Sequence, residues 1–143
     1  MNAYIDTSAL AKCYIREPRS LEVLDWVETQ GKPATAALTL VEFRCLLARR
    51  RRAGQIDQTL EHRALTEFDG HVRAGAWPIH HNLPGDYAAA RDLIDRLPEI
   101  PLRTLDALHL AAAQACGAKT FATADKTPAD AAQALGFTVH RFY

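Results

Sequence analysis

Ala3-Tyr4-Ile5-Asp6-Thr7-Ser8-Ala9-Leu10 decides how the rest of the chain is read. The short apolar run Ala3 to Ile5 suits a buried strand, and Asp6 stands where a strand delivers a side chain at its carboxyl end. From Thr7 the pattern turns helical. The same join recurs downstream: Ala34 to Leu38 predicts a second strand, and from Thr39 a helix carries Val41, Phe43, Leu46 and Leu47. Thr120 to Thr123 predicts a strand leading to Asp125, Ala129 to Leu135 a helix, and Phe137 to Phe142 a final strand. Strands alternating with helices favour a parallel sheet covered by helices on both faces, with ligands beyond the carboxyl ends of the strands.

The intervening stretches fit that order. Leu21, Leu24 and Val27 recur at helical spacing, between a break at Glu17 to Ser20 and a turn at Gly31 and Pro33, and read as core. The Arg49 to Arg52 run before Gly54 stops the helix that follows the second predicted strand. Ile56, Leu60, Ala64, Phe68 and Val72 repeat every four residues, an amphipathic helix. Ala76 to His80 predicts a further strand, disfavoured in the sheet interior by Pro78. Pro84 to Leu97 reads as a helix with Tyr87, Ala90, Leu93, Ile94 and Leu97 on one side, and Leu105 to Cys116 as an Ala-rich helix closed by Gly117.

With 143 residues, 48% of them hydrophobic, the expectation is one domain spanning residues 1–143 around a single core. The formal net charge is zero, so attraction to a polyanion must come from local basic patches. Cys13, Cys45 and Cys116 are widely spaced and odd in number, which argues against a disulfide framework or structural zinc and predicts reduced core thiols. No apolar run approaches the about 18 residues of a membrane span. A soluble cytoplasmic protein with no membrane partner is expected.

Asp6, Glu42, Asp106 and Asp125 each stand at a strand end or helix start. Each has an ordinary structural explanation. Asp6 and Asp125 suit helix N-caps, Thr39 to Glu42 fits a capping box, and Asp106 lies in the first turn after Thr104, a candidate N-cap favoured by the helix dipole. The α/β order can nevertheless bring all four ends to one sheet edge. Two charges about 4 Å apart repel by roughly 4 kcal/mol at an effective dielectric of about 20, so converging carboxylates need protons or cations. A hard divalent ion is the simpler compensation.

The blocks IDTSAL, LTLVEF, LDALHLAAA and FATAD, in this order over most of the chain, resemble those of PIN-domain ribonucleases, especially the VapC-type toxins of prokaryotic toxin–antitoxin modules. The resemblance implies a three-layer α/β/α fold with a central parallel sheet of about five strands. It also implies an Mg²⁺ or Mn²⁺ site carried by Asp6, Glu42, Asp106 and Asp125, as catalytic and metal-holding residues of an endoribonuclease. Thr7, Ser8 and Thr123 match hydroxyl positions that support the acids or a water held by the metal. An RNA substrate, a cognate antitoxin and a homodimer are the implied partners. Relatives often carry another acid three residues after the position of Asp125; here that residue is Pro128, and Asp130 is out of register, so a second metal is in question.

The chemistry suits the residues independently of the family, since carboxylate-held Mg²⁺ can both generate a nucleophile from water and offset charge on phosphoryl oxygens. Lys12, Arg16, Arg44, Arg103 and Lys126 lie close in sequence to the acids and are expected substrate contacts. Arg49, Arg50, Arg51 and Arg52 are candidate phosphate contacts, since four successive Arg exceed what capping requires, but solvated cations complementing the helix dipole are the slightly favoured reading. His109 follows Asp106 by one helical turn, and within LHLAAA packing is the favoured role. A haloacid-dehalogenase-like phosphatase is a rival reading, disfavoured because Ser8 stands where that fold usually has a second Asp. A catalytically silent RNA-binding or partner-binding module is the other, disfavoured by the presence of all four acids.

Overall fold

The computed structural model describes residues 2–143. The opening strand β1 is Ala3–Ile5, and a short helix α1, Thr7–Leu10, follows Asp6 and continues as a 3₁₀ turn over Ala11–Cys13. Helix α2 is Ser20–Gln30, strand β2 is Thr35–Ala36, and helices α3, Leu38–Arg52, and α4, Gln58–Arg73, come next. The second half comprises β3 Ile79–His80, α5 Pro84–Arg96, α6 Thr104–Ala115, β4 Thr120–Thr123, α7 Lys126–Ala134 and β5 Thr138–Arg141.

All strand pairings among the described residues are parallel. Ile5 registers with Ala122 of β4, and Thr123 of β4 with Arg141 of β5, giving a three-stranded sheet in the order β1, β4, β5. Strands β2 and β3 form a separate two-stranded pair. The expectation of one sheet of about five strands is therefore corrected: among the described residues five strands are present, but a three-stranded and a two-stranded ladder meet at a single parallel bridge between Tyr4 and Ala34. Two hydrogen bonds make that bridge, Ile5 N to Ala34 O at 2.9 Å and Ala34 N to Ala3 O at 2.8 Å. The middle strands are shorter than predicted because α3 already begins at Leu38, and because Pro78 lacks an N–H and leaves only Ile79 and His80 in the ladder.

Side-chain alternation along β1 divides the core into two layers. Ile5 and Ala122 pack with Leu10, Trp26, Phe43, Leu47 and Phe68 of α1 to α4 on one face. Tyr4 and Phe121 pack with Leu93, Leu108, Leu110 and Ala131 of α5 to α7 on the other. Helix α6 is buried continuously from Ala107 to Ala113, as its small side chains let the sheet and neighbouring helices approach closely.

Helix ends follow local chemistry. At Gly54 (φ +74°) the N–H of Gln55 reaches Arg50 O at 2.9 Å and that of Gly54 reaches Arg51 O at 3.0 Å, a Schellman closure that needs the left-handed glycine. Asp57 caps α4, its carboxylate accepting from Leu60 N at 2.8 Å.

Three expectations change. Val23 and Trp26 form the buried face of α2, while Leu21 and Leu24 are exposed, because the strand-facing stripe lies two residues along from the one predicted. In α5 the buried positions are Asp86, Ala90 and Leu93, with Tyr87 and Ile94 exposed. Cys45 is exposed rather than a core thiol, while Cys13 and Cys116 are partly buried, and all three are free.

The rings of Phe43 and Phe68 meet at 4.8 Å between centroids, and both side chains are buried. Replacing Phe68 with Ala should lower unfolding free energy by about 3 to 5 kcal/mol. Urea denaturation followed by circular dichroism would detect it as a shifted midpoint with an unchanged slope.

Candidate functional site

Asp6, Glu42, Asp106 and Asp125 reach one cavity of about 540 Å³ at the carboxyl edge of the sheet. Each arrives by a different route. Asp6 follows β1, Asp125 follows β4, Glu42 lies on the second turn of α3 after β2, and Asp106 sits in the first turn of α6. Helix α6 precedes β4 and must run back across the sheet, so its start lies at the strands' carboxyl ends.

Asp6 is 4% exposed and caps α1. Its Oδ1 accepts from Ser8 Oγ at 2.6 Å and Ala9 N at 3.1 Å, so the capping and site readings hold together. Burial dominates its acidity: the carboxyl is pushed up to about 6, against the opposing charge of His109 and the hydrogen bonds of Ser8, Thr123 and Ala9. Ser8 also receives Ala124 N at 2.9 Å and lies 3.2 Å from Thr123 Oγ1, which in turn receives Asp125 N at 3.1 Å. These hydroxyls tie the Asp6 and Asp125 loops together.

Glu42 is held differently. The capping box at Thr39 is not formed: Ala37 is the N-cap of α3 and contributes no side-chain bond. Thr39 is instead buried, 2.9 Å from Thr35 Oγ1 and 3.0 Å from Thr7 Oγ1. Glu42 Oε1 accepts from Thr7 Oγ1 at 2.7 Å and lies 2.6 Å from His109 Nε2. Burial alone would raise this carboxyl, but His109, Thr7 and the charge of Arg49 outweigh it and hold it below the ordinary range.

Asp106 is not preceded by a Thr104 cap; Arg103 is the N-cap, again with no side-chain bond. Burial raises the Asp106 carboxyl, and the charge of Asp125 adds to the rise against Arg103 and His109. Its Oδ2 is buried without a hydrogen-bond partner, the Arg103 Nε at 4.0 Å being too distant. Among the described residues no three His, Cys, Asp or Glu side chains already stand close enough to grip one ion. The acids share a cavity without forming a closed cage.

Cations share the wall. Lys12, Arg49, Arg50 and Arg103 line the cavity, whereas Arg16, Arg44, Arg51, Arg52 and Lys126 do not. Arg44 and Arg51 turn to Glu61, at 3.3 and 2.7 Å, because α3 and α4 pack side by side there. Lys126 pairs with Asp130 at 2.6 Å, and Asp130 also accepts from Arg141 at 2.9 Å, so the out-of-register acid faces away from the cavity. Pro128 is buried in the first turn of α7, where its missing N–H is tolerated.

Two residues gain importance that the sequence understated. Glu17, read only as part of a break, lines the cavity and accepts from Arg50 Nη2 at 2.8 Å, with Lys12 Nζ at 3.9 Å. His109 packs, as expected, but also bonds at both ring nitrogens. Its position one turn after Asp106 was the available signal; nothing in the pattern marked Glu17. A second, shallower depression of about 630 Å³ lies at the opposite sheet edge and carries only Lys119 as a charged group, so it offers no comparable chemistry.

Residues 3–134 match the PIN domain family. The chain is 33% identical over 142 residues to Ribonuclease VapC46 of Mycobacterium tuberculosis, covering 95% of this chain and 94% of that protein. Ribonuclease VapC47 of Mycobacterium tuberculosis is 34% identical over 114 residues, 77% of this chain and 73% of that protein. In fold, the chain resembles the crystal structure of Mycobacterium tuberculosis VapC20, a Sarcin-Ricin loop cleaving toxin, with a TM-score of 0.70 at 20% identity, covering 94% of this chain and 95% of that one. A helix-flanked parallel sheet bearing four acids at its carboxyl edge agrees with these matches, and the chain belongs to the PIN-domain family, among its VapC-type ribonucleases.

Proposed function

We propose that the chain is a divalent-metal-dependent endoribonuclease, the toxin of a type II toxin–antitoxin pair, and that residues 1–143 act as one domain. The observation that carries the reading is the meeting of Asp6, Glu42, Asp106 and Asp125 on one cavity whose wall also bears Lys12, Arg49, Arg50 and Arg103. Acid alone would repel a phosphodiester and base alone would only bind it. Together they suit hydrolysis of a polyanion around a cation.

The donor set fits a hard ion. All four side chains offer oxygen, and the partnerless Asp106 Oδ2 is a buried acceptor in want of a positive partner. The open arrangement suits Mg²⁺ or Mn²⁺ in particular, since Mg²⁺ keeps several waters and needs few direct carboxylates. Asp6, Asp106, Asp125 and Glu42 would hold it. When bound, such an ion polarises a phosphoryl oxygen and lowers the pKa of water. The chain's own contribution is placement: Ser8 and Thr123 brace the Asp6 and Asp125 loops, Thr7 fixes Glu42, and the wall cations bind flanking phosphates. The cut would leave 5′-phosphate and 3′-hydroxyl ends.

A cytoplasmic location accords with this reading; no helix among the described residues is long and apolar enough to cross a membrane. Exposed Leu21, Val41, Leu83 and Tyr87 supply apolar surface for a homodimer contact and for the cognate antitoxin.

RNA cleavage by the purified chain should require Mg²⁺ or Mn²⁺ and stop in EDTA, and Asp6→Asn or Asp106→Asn should abolish it while leaving the circular dichroism spectrum intact. Full cleavage in EDTA would exclude the mechanism.

Among the basic residues the cavity-lining pair should matter most. Arg49→Gln with Arg50→Gln should weaken RNA binding and reduce the slope of log affinity against log salt by roughly 0.7 for each phosphate no longer neutralised. Arg51→Gln with Arg52→Gln should leave that slope unchanged. Fluorescence anisotropy at several salt concentrations makes the comparison, and equal effects of the two pairs would remove Arg49 and Arg50 from the substrate site.

The buried Asp6 also predicts a pH dependence of the metal-free chain. Its folded pKa, about 6, lies above the unfolded value of 3.8. The associated stability is complete below pH 3.8 and is lost as pH rises through about 6. Melting in EDTA between pH 4 and 7 should therefore show a fall in stability from this residue that Asp6→Asn removes. An Asp6→Asn curve parallel to wild type would contradict the assignment.

A further inference from the structure

Glu42 is gripped by one oxygen. Thr7 Oγ1 and His109 Nε2 both approach Oε1, at 2.7 and 2.6 Å, while the side chain lines the acidic cavity. His109 is 3% exposed, and its Nδ1 lies 2.6 Å from the hydroxyl of Tyr4, which is wholly buried in β1. Proton counting orders this chain. An ionised carboxylate only accepts, so Nε2 must carry a hydrogen. At Nδ1 a neutral ring accepts the phenolic hydrogen of Tyr4 and a charged ring donates to the Tyr4 oxygen, so in both states Nε2–H is left to donate to Glu42. Either way Tyr4 holds the ring at Nδ1. Thr7 also has one hydrogen, with Glu42 Oε1 at 2.7 Å and Thr39 Oγ1 at 3.0 Å in reach; the shorter, charge-assisted bond goes to Glu42.

We propose that His109, backed by Tyr4, is a positioning residue that ties Glu42 Oε1 to the core so that Oε2 is presented to the divalent ion. The inference rests on the metal reading above. Packing alone does not account for the geometry: the Tyr4 and His109 rings do meet edge to face at 5.8 Å, but that contact would not need a polar partner at 2.6 Å on each nitrogen. A carboxylate free to turn about its side-chain torsions would lose this orientation. Partners of this outer kind are typically worth 10- to 100-fold in metal affinity.

The test is Mn²⁺ titration by calorimetry of the RNA-free protein, with melting recorded for each variant. His109→Leu should weaken Mn²⁺ binding by about 10- to 100-fold. His109→Gln, whose amide can donate to the same oxygen, should restore most of the loss, and Tyr4→Phe should weaken binding by less than His109→Leu. In a Glu42→Gln background, His109→Leu should bring no further loss. Because His109→Leu strands the buried Tyr4 hydroxyl, the Tyr4→Phe/His109→Leu double variant serves as a companion that relieves it. Wild-type Mn²⁺ affinity in a folded Leu variant, or an equal loss when Glu42 is already replaced, overturns the proposal. Where neither Leu variant folds, unchanged affinity in Tyr4→Phe overturns it. A wild-type chain that takes up no Mn²⁺ sinks the metal reading itself and this inference with it, an outcome distinct from uptake that ignores His109.

Discussion

Burial of carboxylates at the carboxyl edge of the sheet is the constraint around which this molecule is arranged. Asp6 is buried and the Asp106 side chain largely so, burial raises the pKa of both, and the charge of Asp125 adds to the rise at Asp106. The folded chain bears this through three devices: hydrogen bonds from Ser8, Ala9 and Thr7, a raised affinity of Asp6 for a proton, and nearby cations. A divalent ion would answer the same demand more completely, and the unpaired Asp106 Oδ2 is where the chain's own groups leave it unmet.

The two layers of the core divide the work of placing the acids. On the face of α1 to α4, aromatic packing around Phe43 and Phe68 fixes α3 and therefore Glu42. On the other face, Tyr4 and the buried helix α6 fix His109 and Asp106. The hydrogen bonds from Tyr4 through His109 to Glu42 run between the layers at the rim of the sheet, where β1 and β2 are joined by only a single bridge. Polar contacts of this kind are suited to the role because they are directional, whereas apolar contacts at the same place would tolerate rotation of the carboxylate.

The cations are partitioned too. Glu61 draws Arg44 and Arg51 toward the α3–α4 seam, and Asp130 draws Lys126 and Arg141 outward. Arg50 remains on the cavity wall but is paired with Glu17, whose carboxylate stands where a substrate phosphate could compete for the same guanidinium. With no net charge to steer a polyanion, local placement of this sort decides which basic residues can meet it.

Read alone, the sequence determined the α/β alternation, the positions of Asp6 and Asp125 at strand ends, and the glycine stop at Gly54, because periodicity, strand length and left-handed closure are local properties. It also named all four acids that meet in the cavity. Tertiary structure decided the rest. A capping box at Thr39 and a cap at Thr104 were locally sufficient, yet Thr39 was drawn into the core by Thr7 and Thr35, and α6 began one residue earlier than a Thr104 cap would allow. Whether the strands formed one ladder depended on how β1 and β2 met, which no single segment encodes. The partners of Arg44, Lys126, Glu17 and His109 come from elements far away in sequence or from pairings that sequence order leaves open. Hydrogen bonds and ion pairs act over a few ångströms in space, and only the packed helices and strands set those distances.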